Sequence, residues 1–385
     1  ARLTEAQRGI INTIREFAKR EVLPIASSYE HEDLYPDELV DRMKEMGLFG
    51  ATIPEEFGGL GLDTVTYALI IQEISKAWMS LTGILNSHLI MAYLVSEFGT
   101  EDQKYRFLPA MASGEKRGGI CITEPDAGTD VQAITTKAAR SGDDYVINGT
   151  KVWTSMAHRA DQMFMMARTD PDAPKHRGIS FFLLDMKAPG VEVQPIINMV
   201  GNHHFNMINF EDVRVPKKNL VGEVNRGWYV GATLLDFERS GIEYSASARR
   251  VIEELIQFSN ETYRNGCLLS EDPIIRYRLA KLRTEIEMSR LNSYQIGYMQ
   301  SQGIVPNKES SIGKVFGTEL QQRIAKVGMQ ILGMYGQLEP DSKYAPLRGE
   351  IEQSFMQNVS VTIAAGTSEI QRNIIATRGL GLPRG

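Results

Sequence analysis

The sequence predicts an α+β chain in which a helical segment, an all-β module and a second helical segment follow one another. Three observations predict it. Over the first 115 or so positions apolar residues recur at spacings of three, four and seven. From Gly118 to about Gly227 that period gives way to short β-type runs punctuated by Pro and Gly. From Trp228 the helical period returns and holds to the end. The expected domains are 1–117, 118–227 and 228–385, the last a helical bundle.

The elements follow in order. Leu3, Ile10, Ile11, Ile14, Phe17 and Ala18 mark one face of a first helix, with Thr4 and Gln7 placed for a capping box. Pro36 to Leu48 is a second helix, with Pro in its first turn. Ile53 to Gly61 is a Gly-rich turn. Helices are expected over about 64–78 and 80–98, and another begins near Glu101. In the β module, Tyr145-Val146-Ile147 runs into Asn148-Gly149, a hairpin signal. Phe164–Ala167, Ile179–Leu184 and Val191–Val193 are further strands. Trp228–Ser259, Asp272–Gln300, Glu309–Leu332 and Ile351–Val361 are long helices, and a last one covers about 367–378.

Composition narrows the function classes. Of 385 residues, 42% are apolar and 23% charged, which excludes a mostly disordered chain. Acidic residues number 48 against 42 basic, a net charge of -6, so unspecific nucleic-acid binding is not expected. Two cysteines exclude a disulfide scaffold and fit a reducing compartment, with cytoplasm as the expected location. No uninterrupted apolar run of about 18 residues occurs, so no membrane span is expected. The opening Ala-Arg-Leu-Thr-Glu has no basic-then-apolar pattern, and no secretory leader is expected.

Several strings carry chemical content. Ile122-Thr123-Glu124-Pro125-Asp126-Ala127-Gly128-Thr129-Asp130 is a strand end followed by a turn that exposes N–H groups and hydroxyls, a usable cradle for a flavin edge or a phosphate. Asn148-Gly149-Thr150-Lys151-Val152-Trp153-Thr154-Ser155 offers a Trp to pack on a planar group and a Ser to bond its polar atoms. Leu235-Asp236-Phe237-Glu238-Arg239 sets a carboxylate beside a guanidinium in an apolar run, where burial would raise its pKa. Gly366-Thr367-Ser368-Glu369 starts a helix whose N–H groups could meet an anion or a carbonyl oxygen. Taken alone, each is also an ordinary turn, a buried strand Trp, a surface ion pair or a capped helix. His203-His204 has no carboxylate or Cys at metal-ligand spacing, and no metal site is expected.

In this order the strings resemble one family over nearly the whole chain, the acyl-CoA dehydrogenases. Ile53–Gly59, Phe98–Lys104, Phe210-Glu211-Asp212-Val213-Arg214-Val215-Pro216 and Gly366–Arg372 are similar to further family strings. The resemblance implies an N-terminal helical domain, a middle β-barrel-like domain and a C-terminal four-helix bundle. It implies FAD, held noncovalently between the middle and C-terminal domains. By the same resemblance, Ile122, Thr123, Gly128 and Thr129 line the flavin and pyrophosphate, and Trp153 and Ser155 lie against the ring. Gln330, Gly333, Thr367 and Glu369 match positions that reach a neighbouring subunit's FAD. Trp228 and Arg239 match positions lining the CoA and acyl channel. The implied reaction is α,β-desaturation of an acyl-CoA, with the Ala365 N–H as one donor to the thioester carbonyl. Electrons would pass to an electron-transfer flavoprotein.

Two departures from the family pattern sharpen the expectations. The commonest base stands in a Tyr-Glu-Gly-Thr string, which here is Ala364-Ala365-Gly366-Thr367. A minority of the family, with isovaleryl- and long-chain-type members, places it just before an Arg on the first bundle helix. Glu238 matches that placement, and Glu243 is the fallback, about 140° away on a continuous helix. The second departure is a missing Arg-x-x-Phe-Gly loop between Tyr263 and Pro273, with Arg264 as a candidate substitute. This resembles a bacterial branch with heteromeric enzymes acting on steroid side chains. Alternatives are therefore a homo-oligomer, a heteromer with a related subunit in which this chain is catalytically silent or carries an incomplete FAD half-site, or a flavin oxidase or monooxygenase on the same fold.

Overall fold

A computed structural model describes residues 3–231 and 241–383, which divide between two compact units. One unit draws on residues 1–36, 64–82 and 239–385. The other draws on 37–63 and 83–238.

In the first unit, α1 (Glu5–Phe17) starts with the expected capping box. Thr4 Oγ1 accepts from the Gln7 N–H at 3.2 Å, and the Gln7 side chain accepts from the Thr4 N–H at 3.0 Å. Its buried face is Ile11, Ile14 and Phe17. The chain continues through a widened turn into α2 (Leu23–His31). After α3 (Asp37–Glu45), which belongs to the other unit, α4 (Thr64–Ala77) returns and packs beside α1. Arg15 bonds Glu73 at 3.0 Å there. Next, α5 (Met79–Phe98) starts in this unit and ends in the other, where α6 (Glu101–Ala112) follows it.

The bundle consists of α7 (Ile242–Glu261), α8 (Pro273–Ser301), α9 (Asn307–Leu332) and α10 (Glu350–Val361). Its core is built from Val251, Ile252, Leu255, Leu279, Ile286, Leu320, Ile324 and Ile351, apolar side chains at helical spacing. Asp272 caps α8, its carboxylate accepting from the Ile274 N–H at 2.8 Å. A short helix, α11 (Ser368–Ile374), ends the series. The expected helix over 228–259 is not continuous. Gly241 takes φ +63, a left-handed conformation that an α-helix does not accommodate, and α7 starts after it. The 140° offset between Glu238 and Glu243 assumed one unbroken helix and does not hold across Gly241.

In the second unit the sheet strands are β1 (Gly118–Cys121), β2 (Lys137–Ser141), β3 (Asp144–Ser155), β4 (Gln162–Arg168), β5 (Ile179–Asp185), β6 (Val191–Ile196), β7 (Phe205–Pro216) and β8 (Leu220–Val221). They lie in the order β6-β7-β3-β2-β4-β5-β8, with β1 parallel beside β4. The central strands β4 and β5 are buried on both faces, which accounts for their unbroken apolar runs. The Asn148-Gly149 hairpin is a misreading. β3 runs straight through that dipeptide, with a register shift against β7 between Ile147 and Gly149. The tight turn lies earlier, at Gly142 (φ +64) between β2 and β3. Gly149 is required for close approach, since a Cβ there would lie 2.7 Å from the Thr136 Cα.

Two buried polar side chains tie helices to this sheet. Gln103 takes part in the α6 capping box and donates to the Lys218 and Leu220 carbonyls at 2.8 and 2.7 Å. His88 on α5 meets the Met111 carbonyl through Nε2 at 3.0 Å and accepts the Gly118 N–H on Nδ1 at 3.1 Å. That pattern requires a neutral ring with its proton on Nε2. Helix α5 has the length and apolarity of a membrane span, but 56% of that window is buried inside the protein, as in a core helix. Cys121 and Cys267 are both free, and burial pushes the Cys121 thiol up to about 11.

Burial lowers the His88 pKa from 6.5 to about 4. The unfolded chain therefore binds a proton below pH 6.5 that the folded state refuses until about pH 4. Stability from this residue is complete above pH 6.5 and lost on the way down, about 2 kcal/mol of it by pH 5. Urea denaturation at pH 7 and pH 5 measures this, and His88→Gln is expected to flatten the dependence.

Candidate functional site

Each unit carries its own set of the expected site residues. In the sheet unit they gather where β1 ends beside β3. Glu124 and Ala127 close a tight turn, with the Ala127 N–H on the Glu124 carbonyl at 3.1 Å, and Pro125 and Asp126 at its exposed tip. Ile122 and Thr123 are half-buried against β3, where the Thr123 carbonyl accepts the Val152 N–H at 2.9 Å. Gly128 and Thr129 are exposed, and a Cβ on Gly128 would meet nothing within 4 Å.

The turn is anchored from beneath by a buried ion pair. Lys151 (0% exposed) donates to Glu124 Oε1 at 2.8 Å and to the Ile122 carbonyl at 2.7 Å. Glu124 also accepts the Thr136 N–H on Oε1 at 2.9 Å, and the Thr135 N–H and hydroxyl on Oε2 at 2.6 and 3.0 Å. Burial works to raise the Glu124 pKa. The Lys151 charge and these hydrogen bonds outweigh it and hold the carboxyl below its usual range. For Lys151 burial dominates, and its pKa is lowered against the opposing pull of Glu124.

Beyond Lys151 the strand β3 is strained. Its register against β7 shifts between Lys151 and Thr154, and Trp153 takes φ +59. The indole is 57% exposed and meets Phe205 edge-on at 6.0 Å. Ser155 is exposed beside it, followed by Met156 at φ +54. Trp228 is half-buried in the helical residues 227–231. Glu238 and Arg239 lie outside the described residues.

In the helical unit, Ala365 and Gly366 form a left-handed pair, φ +51 and +85. The buried Gln371 amide braces them, donating to the Ala365 and Gly366 carbonyls at 3.3 and 3.5 Å. The exposed Ala365 N–H has no acceptor among the described residues. Thr367 caps α11, its hydroxyl accepting the Ile370 N–H at 3.3 Å. With Glu369 and the α9 residues Arg323 and Lys326 it lines a cavity of about 520 Å³. Ser368 lines the same cavity, and its Oγ is buried without a partner among the described residues. Gln330 and Gly333 sit at the far end of α9. There Arg278 donates to the Gln330 side chain and Arg264 to the Ile331 carbonyl, so the candidate substitute Arg264 reaches the same helix end.

These features suit a flavin dinucleotide. An exposed indole on strained backbone suits a planar ring. The cavity beside α11 offers Arg323, Lys326 and the unpartnered Ser368 hydroxyl as donors, set among the carboxylates Glu319 and Glu369. Among the described residues no group of three His, Cys, Asp or Glu side chains could hold a metal ion. The anchor role of Lys151 and Glu124 was missed from sequence. Their presence within the two strings was its only sign.

Comparison with known proteins places this geometry. Residues 4–115 match the family model for the acyl-CoA dehydrogenase N-terminal domain, 119–213 the middle domain and 225–380 the C-terminal domain. Acyl-CoA dehydrogenase FadE29 of Mycobacterium tuberculosis is 32% identical over 99% of this chain and 98% of its own length. Acyl-CoA dehydrogenase from Geobacillus kaustophilus superposes with a TM-score of 0.91 at 30% identity, over 99% of both chains. A chain of the ChsE4-ChsE5 complex from Mycobacterium tuberculosis gives 0.88 at 31%, over 100% of this chain and 99% of its own.

The ion pair yields a stability test. Lys151→Met leaves Glu124 charged and buried, and is expected to cost about 3–5 kcal/mol in chemical denaturation. Adding Glu124→Gln should restore part of that loss. In the parent, the Glu124 contribution is present above its ordinary pKa near 4.5 and is lost as pH falls through its lower folded value.

Proposed function

The chain belongs to the acyl-CoA dehydrogenase family of oxidoreductases acting on acyl-CoA, and on that premise we propose that it is an FAD-dependent enzyme introducing an α,β double bond into an acyl-CoA thioester. The observation that carries the reading is the Ala365 N–H, exposed and without an acceptor among the described residues, on a left-handed pair braced by Gln371. An α C–H beside a thioester is a weak acid. Its removal needs a donor on the carbonyl oxygen that strengthens as negative charge develops there. Ala365 supplies that donor from fixed backbone.

Glu238 takes the α-proton, in the place that the family's minority uses when the carboxylate before Gly366 is absent, as it is here. FAD, when bound, supplies the acceptor for the hydride that leaves the β-carbon. Ile122, Thr123, Gly128 and Thr129 hold its ring edge and pyrophosphate, while Trp153 and Ser155 face the ring. Gln330, Gly333, Thr367 and Glu369 contact the FAD of a neighbouring subunit. Trp228 and Arg239 bind the acyl-CoA, the guanidinium being suited to its phosphates. An electron-transfer flavoprotein reoxidises the enzyme.

Similarity to a chain of a two-protein complex supports assembly with a related subunit. Arg264, at the end of α9 with Gln330 and Gly333, supplies charge that the missing Arg-x-x-Phe-Gly loop does not.

Adding an acyl-CoA to the yellow protein is expected to bleach its flavin absorbance. Glu238→Gln should keep FAD and slow the bleaching by about 10²–10⁴-fold, the usual range for a lost general base. Bleaching at full rate removes Glu238 from the mechanism. Protein that is colourless alone and yellow only when co-expressed with a related subunit identifies the half-site assembly.

A further inference from the structure

We propose that Asn206 is a positioning residue whose amide clasps Thr154–His158 and so sets Trp153 and Ser155 toward the flavin. The inference rests on the flavin reading of those two residues. Asn206 lies on β7 and is fully buried. Its Nδ2 donates to the Thr154 carbonyl at 3.0 Å. That bond fixes the orientation of the amide, so its Oδ1 faces the opposite side and accepts from two imidazoles. His203 Nε2 lies at 2.8 Å and His158 Nδ1 at 3.2 Å. The two rings stack, with centroids 4.0 Å apart and planes at 22°.

One side chain thus grips both ends of a five-residue turn. Within the turn stand Ser155 and the left-handed Met156, whose N–H donates to the His204 carbonyl at 2.9 Å. Immediately before it stands the left-handed Trp153. Left-handed backbone at a non-glycine residue costs on the order of 1–3 kcal/mol and persists only where its surroundings enforce it. Here the enforcing contacts come from Asn206 and its chain neighbours His204 and Phe205. Phe205 carries the edge contact to Trp153 and pairs with Ser155 across the strands. The adjacent histidines, which cannot share a strand face, thereby divide their tasks. His203 stacks on His158 through its ring, and His204 holds Met156 through its carbonyl. An ordinary cross-strand bond on the same two strands, Thr150 Oγ1 to Asn209 Oδ1 at 2.9 Å, serves as the internal comparison.

The test uses the full chain with and without FAD. In FAD-free protein, Asn206→Leu is expected to speed hydrogen exchange of the Met156 amide about tenfold, while Thr150→Val leaves it unchanged. With FAD bound, Asn206→Leu should alter the flavin visible circular dichroism. It should also lower kcat about tenfold, with KM for acyl-CoA within about twofold of the parent. Asn206→Ser is smaller and uncharged, and cannot reach both ends of the turn. It should give changes of the same kind, and it covers failure of the leucine variant to fold. Parent-like exchange in FAD-free Asn206→Leu, with parent-like spectrum and rate once FAD is bound, would overturn the clasp alone. So would an equal loss in Thr150→Val, which would mark general loosening of the strands. Parent protein that takes up no FAD, alone or with a related subunit, overturns the flavin reading itself.

Discussion

The sheet unit is organised around a charge that cannot be left alone. Lys151 has no exposure to solvent, and Glu124 is its counterion. Burying either group unpaired would cost several kcal/mol, so the turn carrying Glu124 is bound to stay on β3. The remaining carboxylate lone pairs are taken by Thr135 and Thr136, and the ammonium also reaches the Ile122 carbonyl. One pair therefore fixes three chain segments, the end of β1, the loop entering β2 and the middle of β3. Trp153 and Ser155 follow on the same strand, and Gly128 and Thr129 on the same turn.

The candidate site is built more from backbone than from side chains. Trp153, Met156 and Ala365 take left-handed conformations that non-glycine residues seldom hold; Trp153 and Ala365 are expected site residues and Met156 follows Ser155. Buried amides enforce two of these places, Asn206 in the sheet and Gln371 beside α11. A backbone N–H held this way needs little reorganisation when charge develops, unlike a side-chain donor with free torsions.

Much of the helical architecture was legible because periodicity and capping are local. The Thr4–Gln7 box, the start of α6 near Glu101 and the boundaries of α4, α5 and α9 follow from residues within one turn of each other. The errors arose where a local signal was overruled at long range. Asn148-Gly149 has hairpin chemistry, but Asn148 accepts the Asp212 N–H from β7 at 2.9 Å, and Thr136 crowds Gly149. The strand continues because its neighbours need it there. Gly241, left-handed at the start of α7, interrupts a stretch whose apolar spacing runs on without a break. The Lys151–Glu124 pair and the Asn206 clasp were illegible for the same reason, since Glu124 lies 27 residues from Lys151, and His158 and Thr154 lie 48 and 52 residues from Asn206.

The course of the chain between the two units limits how such a protein can be recombined. It changes unit at 36/37, again at 63/64 and again at 82/83, the last inside α5. No single cut in that stretch releases a unit intact, and a cut at the third crossing severs a helix. Homologous sequences can diverge position by position within this arrangement, but a crossover joining the front of one member to the back of another must bring compatible surfaces on both units at once. Shuffled chimaeras with junctions in the first 83 residues would thus be tolerated only between close relatives, whereas the β strands from Gly118 to Val221 lie wholly within one unit and form the more exchangeable block.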